Sequence, residues 1–201
     1  MKILFVTSEV YPLAKAGGLA DAVSSLAVAL AERGHDVRIV LPRYYFVNRN
    51  ELEDTQLRLL VKMGPDTHTI HVYRTPYRGT SVYLLDCEEL YGRDGIYSHV
   101  DYGEFADNDR RFAVLCKAAL DLPSRLNWHP DVFHGHDWPT GLLPVYERIR
   151  RSEARENAGA AARFVFSIHN IGYQGNFPLS RVPDIGLTHY RARRFGVEFN
   201  G

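Results

Sequence analysis

Three short runs in the 201-residue sequence gather residue types that can do chemistry. The first is Thr7-Ser8-Glu9-Val10-Tyr11-Pro12-Leu13-Ala14-Lys15-Ala16-Gly17-Gly18-Leu19-Ala20-Asp21. A lysine, two glycines and the opening of a helix suit an anion. Gly17 and Gly18 let backbone N–H groups approach closely, the helix N-terminus favours negative charge, and Lys15 adds a full positive one. The same residues equally describe a tight turn with Lys15 solvated. The run is not a Walker loop, which requires Gly-Lys-Ser/Thr. Nor is it a dinucleotide fingerprint, because Gly-x-Gly-x-x-Gly is absent and the second apolar run closes on Leu41-Pro42-Arg43, with no acid for a ribose. The second run is His134-Gly135-His136-Asp137-Trp138. As metal ligands these suggest a zinc hydrolase, but Trp138 stands where a further histidine would be needed, and His129, His169 and His189 are scattered. Other readings are that His134 packs while His136 orients a loop, or that Asp137 and Trp138 line a sugar or nucleoside pocket. The third run, His169-Asn170-Ile171-Gly172-Tyr173-Gln174-Gly175-Asn176-Phe177, is crowded with hydrogen-bonding groups and reads as a binding loop. No close carboxylate pair and no Gly-x-Ser-x-Gly elbow accompanies them, so hydrolysis finds no support.

Each run directly follows an apolar stretch. Ile3–Val6, Val37–Leu41, Val82–Leu85, Val132–Phe133 and Phe164–Ile168 are continuous, not alternating, as expected of buried strands in a parallel sheet. Leu19, Val23, Leu26, Ala27 and Leu30 form one helical stripe, stopped by Gly34. Phe112, Leu115, Ala119 and Leu122 form a second, ended by Pro123, and Leu142, Leu143, Val145, Tyr146 and Ile149 a third, with Thr140 as N-cap. Strands alternating with helices predict an α/β fold with a Rossmann-like, doubly wound, mostly parallel sheet. Tyr44 to Asp86 breaks the alternation and reads as an inserted β-hairpin turning at Pro76-Tyr77-Arg78-Gly79; Arg151 to Arg163 reads as a surface helix or connection. One domain spans residues 1–201. In such sheets ligands bind at the carboxyl ends of strands, which is where all three polar runs fall.

Composition fits an ordinary globular chain. Lys+Arg and Asp+Glu both number 24, for a net charge of +0, with 45% hydrophobic and 24% charged residues. No basic excess points to nucleic acid, and no apolar run approaches the ~20 residues of a membrane span. The N-terminus lacks a signal-peptide core. Cys87 and Cys116 read as buried thiols, so the expected setting is cytoplasmic. The sequence from Phe195 to Gly201 stops in mid-pattern, as a truncated half of a larger α/β protein would.

Taken together and in this order, the runs resemble the N-terminal half of bacterial glycogen synthases and plant starch synthases, the family 5 retaining glycosyltransferases. Ser8 through Asp21 resembles that family's opening motif, usually Lys-Thr-Gly-Gly-Leu; Asp131 through Trp138 resembles its middle motif, and His169-Asn170 with Tyr173-Gln174-Gly175 its third. Leu90-Tyr91-Gly92-Arg93, Tyr97 and Gly196 through Gly201 fit as well. The resemblance implies the N-terminal, acceptor-side half of a two-domain GT-B enzyme. Such an enzyme moves glucose from ADP-glucose, less often UDP-glucose, to the non-reducing end of an α-1,4-glucan, with retention and without metal or other cofactor. It implies catalytic roles for Lys15, Asp137 and His169. Lys15 with Gly17 and Gly18 would meet the nucleotide diphosphate, beside Asp21. His169 would sit beside the glucosyl group, with Asp137, Trp138, Asn170, Gln174 and Tyr97 shaping the glucose and acceptor site. Ala16 departs from the usual threonine, and Pro139 from a histidine familiar in some relatives. The C-terminal domain, with its nucleoside pocket and Glu-x7-Glu motif, is absent from these residues, so the fragment alone is expected to be inactive. The alternative from another class is a non-catalytic glucan- or nucleotide-binding module using the same cleft.

Overall fold

The computed structural model describes residues 1–99, 101–153 and 162–197. In chain order they form β1 (Lys2–Val6), α1 (Gly18–Glu32), β2 (Asp36–Pro42), β3 (Glu53–Met63), β4 (Asp66–Tyr77), β5 (Thr80–Asp86) and a single-turn α2 (Glu88–Tyr91). Then come the short pair β6 (Ser98–His99) and β7 (Gly103–Glu104), α3 (Asn108–Arg125), β8 (Val132–His136), α4 (Leu143–Glu153), β9 (Arg163–Ser167) and α5 (His189–Arg194). The main sheet has seven strands in the order β3-β4-β5-β2-β1-β8-β9. The five apolar runs of the sequence supply its parallel part, β5-β2-β1-β8-β9. From β1 the chain winds through α1 to β2 on one side, then returns through α3 to β8 and through α4 to β9 on the other. Right-handed crossovers running in opposite directions put α1 on one face of the sheet and α3 with α4 on the other. The sequence order therefore reverses at β1, which makes the carboxyl ends of β1 and β8 the topological switch point.

The inserted hairpin turns where the sequence placed it and is continuous with the main sheet. β3 and β4 pair antiparallel, β4 pairs antiparallel with β5 through the turn at Arg78 (φ 42°) and Gly79 (φ 82°), and both extend the main sheet. Three other expectations need correction. Pro123 does not end its helix: α3 runs on to Arg125, because Leu126 N–H bonds the Leu122 carbonyl and Trp128 N–H bonds that of Pro123. Thr140 is not an N-cap; it closes a 3-10 turn, Trp138–Thr140, and its hydroxyl donates to the Asp137 carbonyl. Among the described residues β9 lies at the edge of the sheet and is not covered, with Val165 and Phe166 45–46% exposed. Of the stretch Arg151 to Arg163, residues 154–161 lie outside the described residues, and Arg151–Glu153 close α4.

The core fills both sides of β1 and β2, where Phe5, Val6, Ile39, Val40 and Leu41 are fully buried. Cys87 and Cys116 are free, buried thiols; burial pushes both up to about 12, so they stay protonated and inert. Among the described residues no helix is long and apolar enough to cross a membrane.

Candidate active site

A cleft of about 650 Å³ opens at the switch point, lined by Glu9, Gly17, Gly18, Tyr97, Asp137, Trp138, His169 and Asn170, among others. Three strand ends build it. Thr7-Ser8-Glu9 leaves β1, His136 ends β8 with Asp137 following, and His169 lies two residues beyond β9. Parallel register aligns these ends, since Val6 faces Gly135 and His136 faces Ser167. Of the residues singled out in the sequence, Gly17, Gly18, Tyr97, Asp137, Trp138, His169 and Asn170 line the cleft. Lys15 and Asp21 do not; they pair with each other at 2.7 Å on the exposed rim. Asp21's hydrogen bond holds the Lys15 ammonium above its ordinary range. The Gln174 amide turns back to the Ile171 carbonyl, and Tyr173 takes its place on the wall.

Glu9, which the sequence did not single out, organises the first run. Its carboxylate is buried, and Oε2 accepts the backbone N–H groups of Ala16 at 2.7 Å and Gly17 at 2.9 Å. Part of the expected anion nest is thus filled by the protein's own carboxylate, which holds the glycine loop in place. Neither glycine has a neighbour near where a Cβ would stand, so what their missing side chains provide is open cleft. Oε1 of Glu9 accepts the Tyr97 hydroxyl at 2.7 Å. Having donated its one proton there, the Tyr97 oxygen accepts from Ser8 Oγ, also at 2.7 Å. Burial, and then the adjacent Glu9 charge, push the Tyr97 phenol far up, so it remains a donor. The signal was present as an acid eight residues before Gly17, but its partner Tyr97 lies 88 residues away.

Asp137 organises the other wall. Its backbone is held at φ 56°, ψ 177°, and its Oδ1 accepts the N–H groups of His169 at 2.6 Å and Asn170 at 3.4 Å. Its own N–H bonds the Ser167 carbonyl at 2.9 Å. Asp137 therefore pins the start of the third run to the end of β8. Trp138 packs edge-on to Phe112 at 5.1 Å and lies beside Tyr97 and Phe177. Gly175 closes over it: φ is +66° there, and a Cβ would fall 2.5 Å from the Trp138 ring. Gly175→Ala should therefore displace the indole and destabilise the fold by about 1–3 kcal/mol. A lower urea midpoint together with shifted tryptophan emission would show this, whereas an unchanged midpoint would mean the loop gives way freely.

The histidines form a column. His134 and His136 stack at 4.1 Å, both rings pack on Phe5, and His136 Nδ1 meets His169 Nε2 at 3.1 Å. Burial, followed by its two histidine neighbours, pushes His136 down to about 2, so it is neutral. His134, lowered by burial and then by His169, bonds Ser167 Oγ at 2.8 Å. With Asp137 committed to backbone N–H groups and His136 to His169, these side chains do not converge on a common point as zinc ligands would. Among the described residues one group, His68, Cys87 and Glu89, brings its ligand atoms within 4.8 Å of one another. Hydrogen bonds link its members: His68 Nδ1 and Cys87 Sγ meet Glu89, and Arg110 donates to His68 Nε2.

Fold and site together define an open, doubly wound α/β domain with a polar, aromatic-walled cleft at its switch point. A profile of the starch synthase catalytic domain matches residues 2–201. The chain is 44% identical over 189 residues to a glycogen synthase of Treponema denticola, covering 93% of this chain and 38% of that protein. It is 42% identical over 208 residues to one of Anaeromyxobacter sp., covering 100% and 42%. The catalytic domain of starch synthase IV from Arabidopsis thaliana, solved bound to ADP and acarbose, superposes with a TM-score of 0.79 at 26% identity, over 92% of this chain and 37% of that one. The chain belongs to the starch synthase catalytic domain family, the glycosyltransferases to which the sequence motifs pointed. It spans about two fifths of the length of the curated relatives it matches.

Proposed function

We propose that this chain supplies the acceptor-side half of the active site of a glycogen or starch synthase. The enzyme transfers glucose from ADP-glucose or UDP-glucose to the non-reducing end of an α-1,4-glucan with retention of configuration. The observation that carries this reading is the meeting of all three motif runs in one cleft at the switch point, with Glu9, Tyr97, Asp137, Trp138, His169 and Asn170 on its walls. The ADP and acarbose bound in the Arabidopsis neighbour support a nucleotide and a saccharide as occupants. A second domain on the same polypeptide would close the cleft and read the base. The setting is cytoplasmic, in keeping with two free thiols.

Breaking a sugar–phosphate bond builds positive charge at the anomeric carbon and negative charge on the departing diphosphate. Lys15 and the N–H groups of the first turn of α1 that Glu9 does not occupy stand ready for the second charge. The exposed Lys15–Asp21 pair contributes little by itself, so Lys15 exchanges readily to a phosphate. We assign no metal or other cofactor to the step. Trp138 and Tyr97 offer flat faces to sugar C–H surfaces, while Asn170 and His169 offer hydrogen bonds to hydroxyls.

The test is incorporation of labelled glucose into glycogen by the complete polypeptide, from each donor in turn. Lys15→Ala should lower kcat about ten- to a hundredfold with the fold intact. Incorporation from neither donor would overturn the assignment, and unchanged kinetics in the variant would remove Lys15 from the site.

A further inference from the structure

His136 is fully buried at the end of β8, and its neutral ring carries one proton. Two nitrogens compete for it. Nδ1 faces His169 Nε2 at 3.1 Å, whereas Nε2 is buried and has no hydrogen-bond partner. The rings of Phe5 and His134 pack against it at 4.9 and 4.1 Å and offer nothing to accept an N–H there. A buried N–H without an acceptor is the rarer and costlier defect; a bare ring nitrogen is tolerated better. The proton therefore belongs on Nδ1, donated to His169. That makes Nε2 of His169 an acceptor and leaves its own ring proton on Nδ1, for which no protein partner is found among the described residues. His169 is exposed and lines the cleft.

We propose that His136 is a positioning residue which fixes the tautomer of His169, so that the cleft meets its ligand at this point with an Nδ1–H donor. The ligand atom placed there must then be an acceptor, such as a hydroxyl or phosphate oxygen, and not an ammonium. The choice of a sugar hydroxyl as that acceptor rests on the glucosyltransferase reading; the tautomer does not. Asp137 cooperates from the backbone side, since its hydrogen bond to the His169 N–H sets where the ring hangs.

The experiment is a two-bond nitrogen–proton correlation spectrum of the complete polypeptide labelled at the histidine ring nitrogens, recorded without substrate. His169→Gln assigns the His169 signals. The expected result is a pyrrole-type Nδ1 and a pyridine-type Nε2 at His169; the reverse pattern overturns the proposal. His136→Asn, whose amide N–H can replace Nδ1–H, should keep that pattern and hold kcat/KM within about threefold. His136→Phe, which fills the space without a donor, should release the tautomer and lower kcat/KM about tenfold. A pattern unchanged in His136→Phe would also overturn the proposal. Should that variant fail to fold, the unsubstituted spectrum still decides. An Nδ1–H ring in a protein without transferase activity would preserve this inference and sink the functional one; transferase activity with an Nε2–H ring would do the opposite.

Discussion

Asp137→Ala in the complete polypeptide is expected to lower kcat for glucosyl transfer about a thousandfold. Asp137 does two jobs with one carboxylate. Its Oδ1 holds the N–H groups of His169 and Asn170, fixing the two wall residues that come from a different strand end. Its carboxylate also lines the cleft, where the proposed reaction would develop positive charge on the sugar. Releasing the loop by as little as an ångström costs on the order of a hundredfold in an oriented reaction, and removing the charge adds further loss. Asp137→Asn keeps an acceptor in place and should lose only about tenfold. The backbone at φ 56°, ψ 177° lies close to a region that only glycine occupies easily, at a cost of order 1–3 kcal/mol. Asp137→Gly relieves that cost yet still lacks the carboxylate. It should be as poor a catalyst as the alanine variant while melting higher. Initial rates and melting curves for the three variants separate hydrogen bond, charge and strain. An alanine variant within threefold of the parent would remove Asp137 from the mechanism.

The parallel half of this fold was legible because strands covered on both faces need unbroken apolar runs, as in Ile3–Val6 and Val37–Leu41. β3 was not. It buries Leu59, Val61 and Met63 on one side, but Leu60 between them is 65% exposed and Glu53 through Gln56 is polar, so neither a run nor a clean alternation shows. A break in register between Asp54 and Arg58, with Gln56 at φ 61°, blurs the period further. β9 misled in the opposite direction. Phe164–Ile168 has the composition of a buried strand but lies at the sheet edge among the described residues, and composition does not reveal a strand's neighbours.

The site divides in the same way. Its residues could be nominated, because glycines, acids and histidines cluster where strands end. Their partnerships could not, because they join segments far apart in the chain. Glu9 meets Tyr97 across 88 residues and His136 meets His169 across 33. Each link depends on a register or a loop path that no local pattern encodes. Lys15 and Gln174 show the converse: both belong to a motif, and both point somewhere other than the cleft wall.

Tyr97 itself depends on a side chain that no sequence pattern marks, and Arg111→Met is expected to destabilise the protein by about 3 kcal/mol. Arg111 lies on α3 with no exposed surface. Its Nε donates to the Leu90 carbonyl at 2.7 Å, and Nη1 donates to the Ile96 carbonyl at 2.8 Å and to Asn108 Oδ1 at 2.6 Å. Among the described residues no carboxylate pairs with it; the guanidinium instead lies over the rings of Phe105, Phe112 and Tyr91 at 4.7–5.8 Å. Burial lowers its proton affinity, yet an arginine remains charged. Two effects oppose each other in the methionine variant. Removing a desolvated charge stabilises, while three buried acceptors lose their donor at about 1–3 kcal/mol each. The acceptors win, because Leu90, Ile96 and Asn108 are themselves buried and lose a donor out of reach of bulk solvent. For a domain of this size the melting temperature should fall by about 6–12 °C. The loss should also reach the cleft: Asn108 Nδ2 holds the Tyr97 carbonyl at 2.8 Å, so Arg111 fixes the Tyr97 backbone from both sides, through Ile96 and through Asn108. Arg111→Lys keeps the charge but cannot span three acceptors, and it should fall between parent and methionine. A methionine variant melting within 2 °C of the parent would mean that the aromatic cage, not the hydrogen bonds, holds this segment.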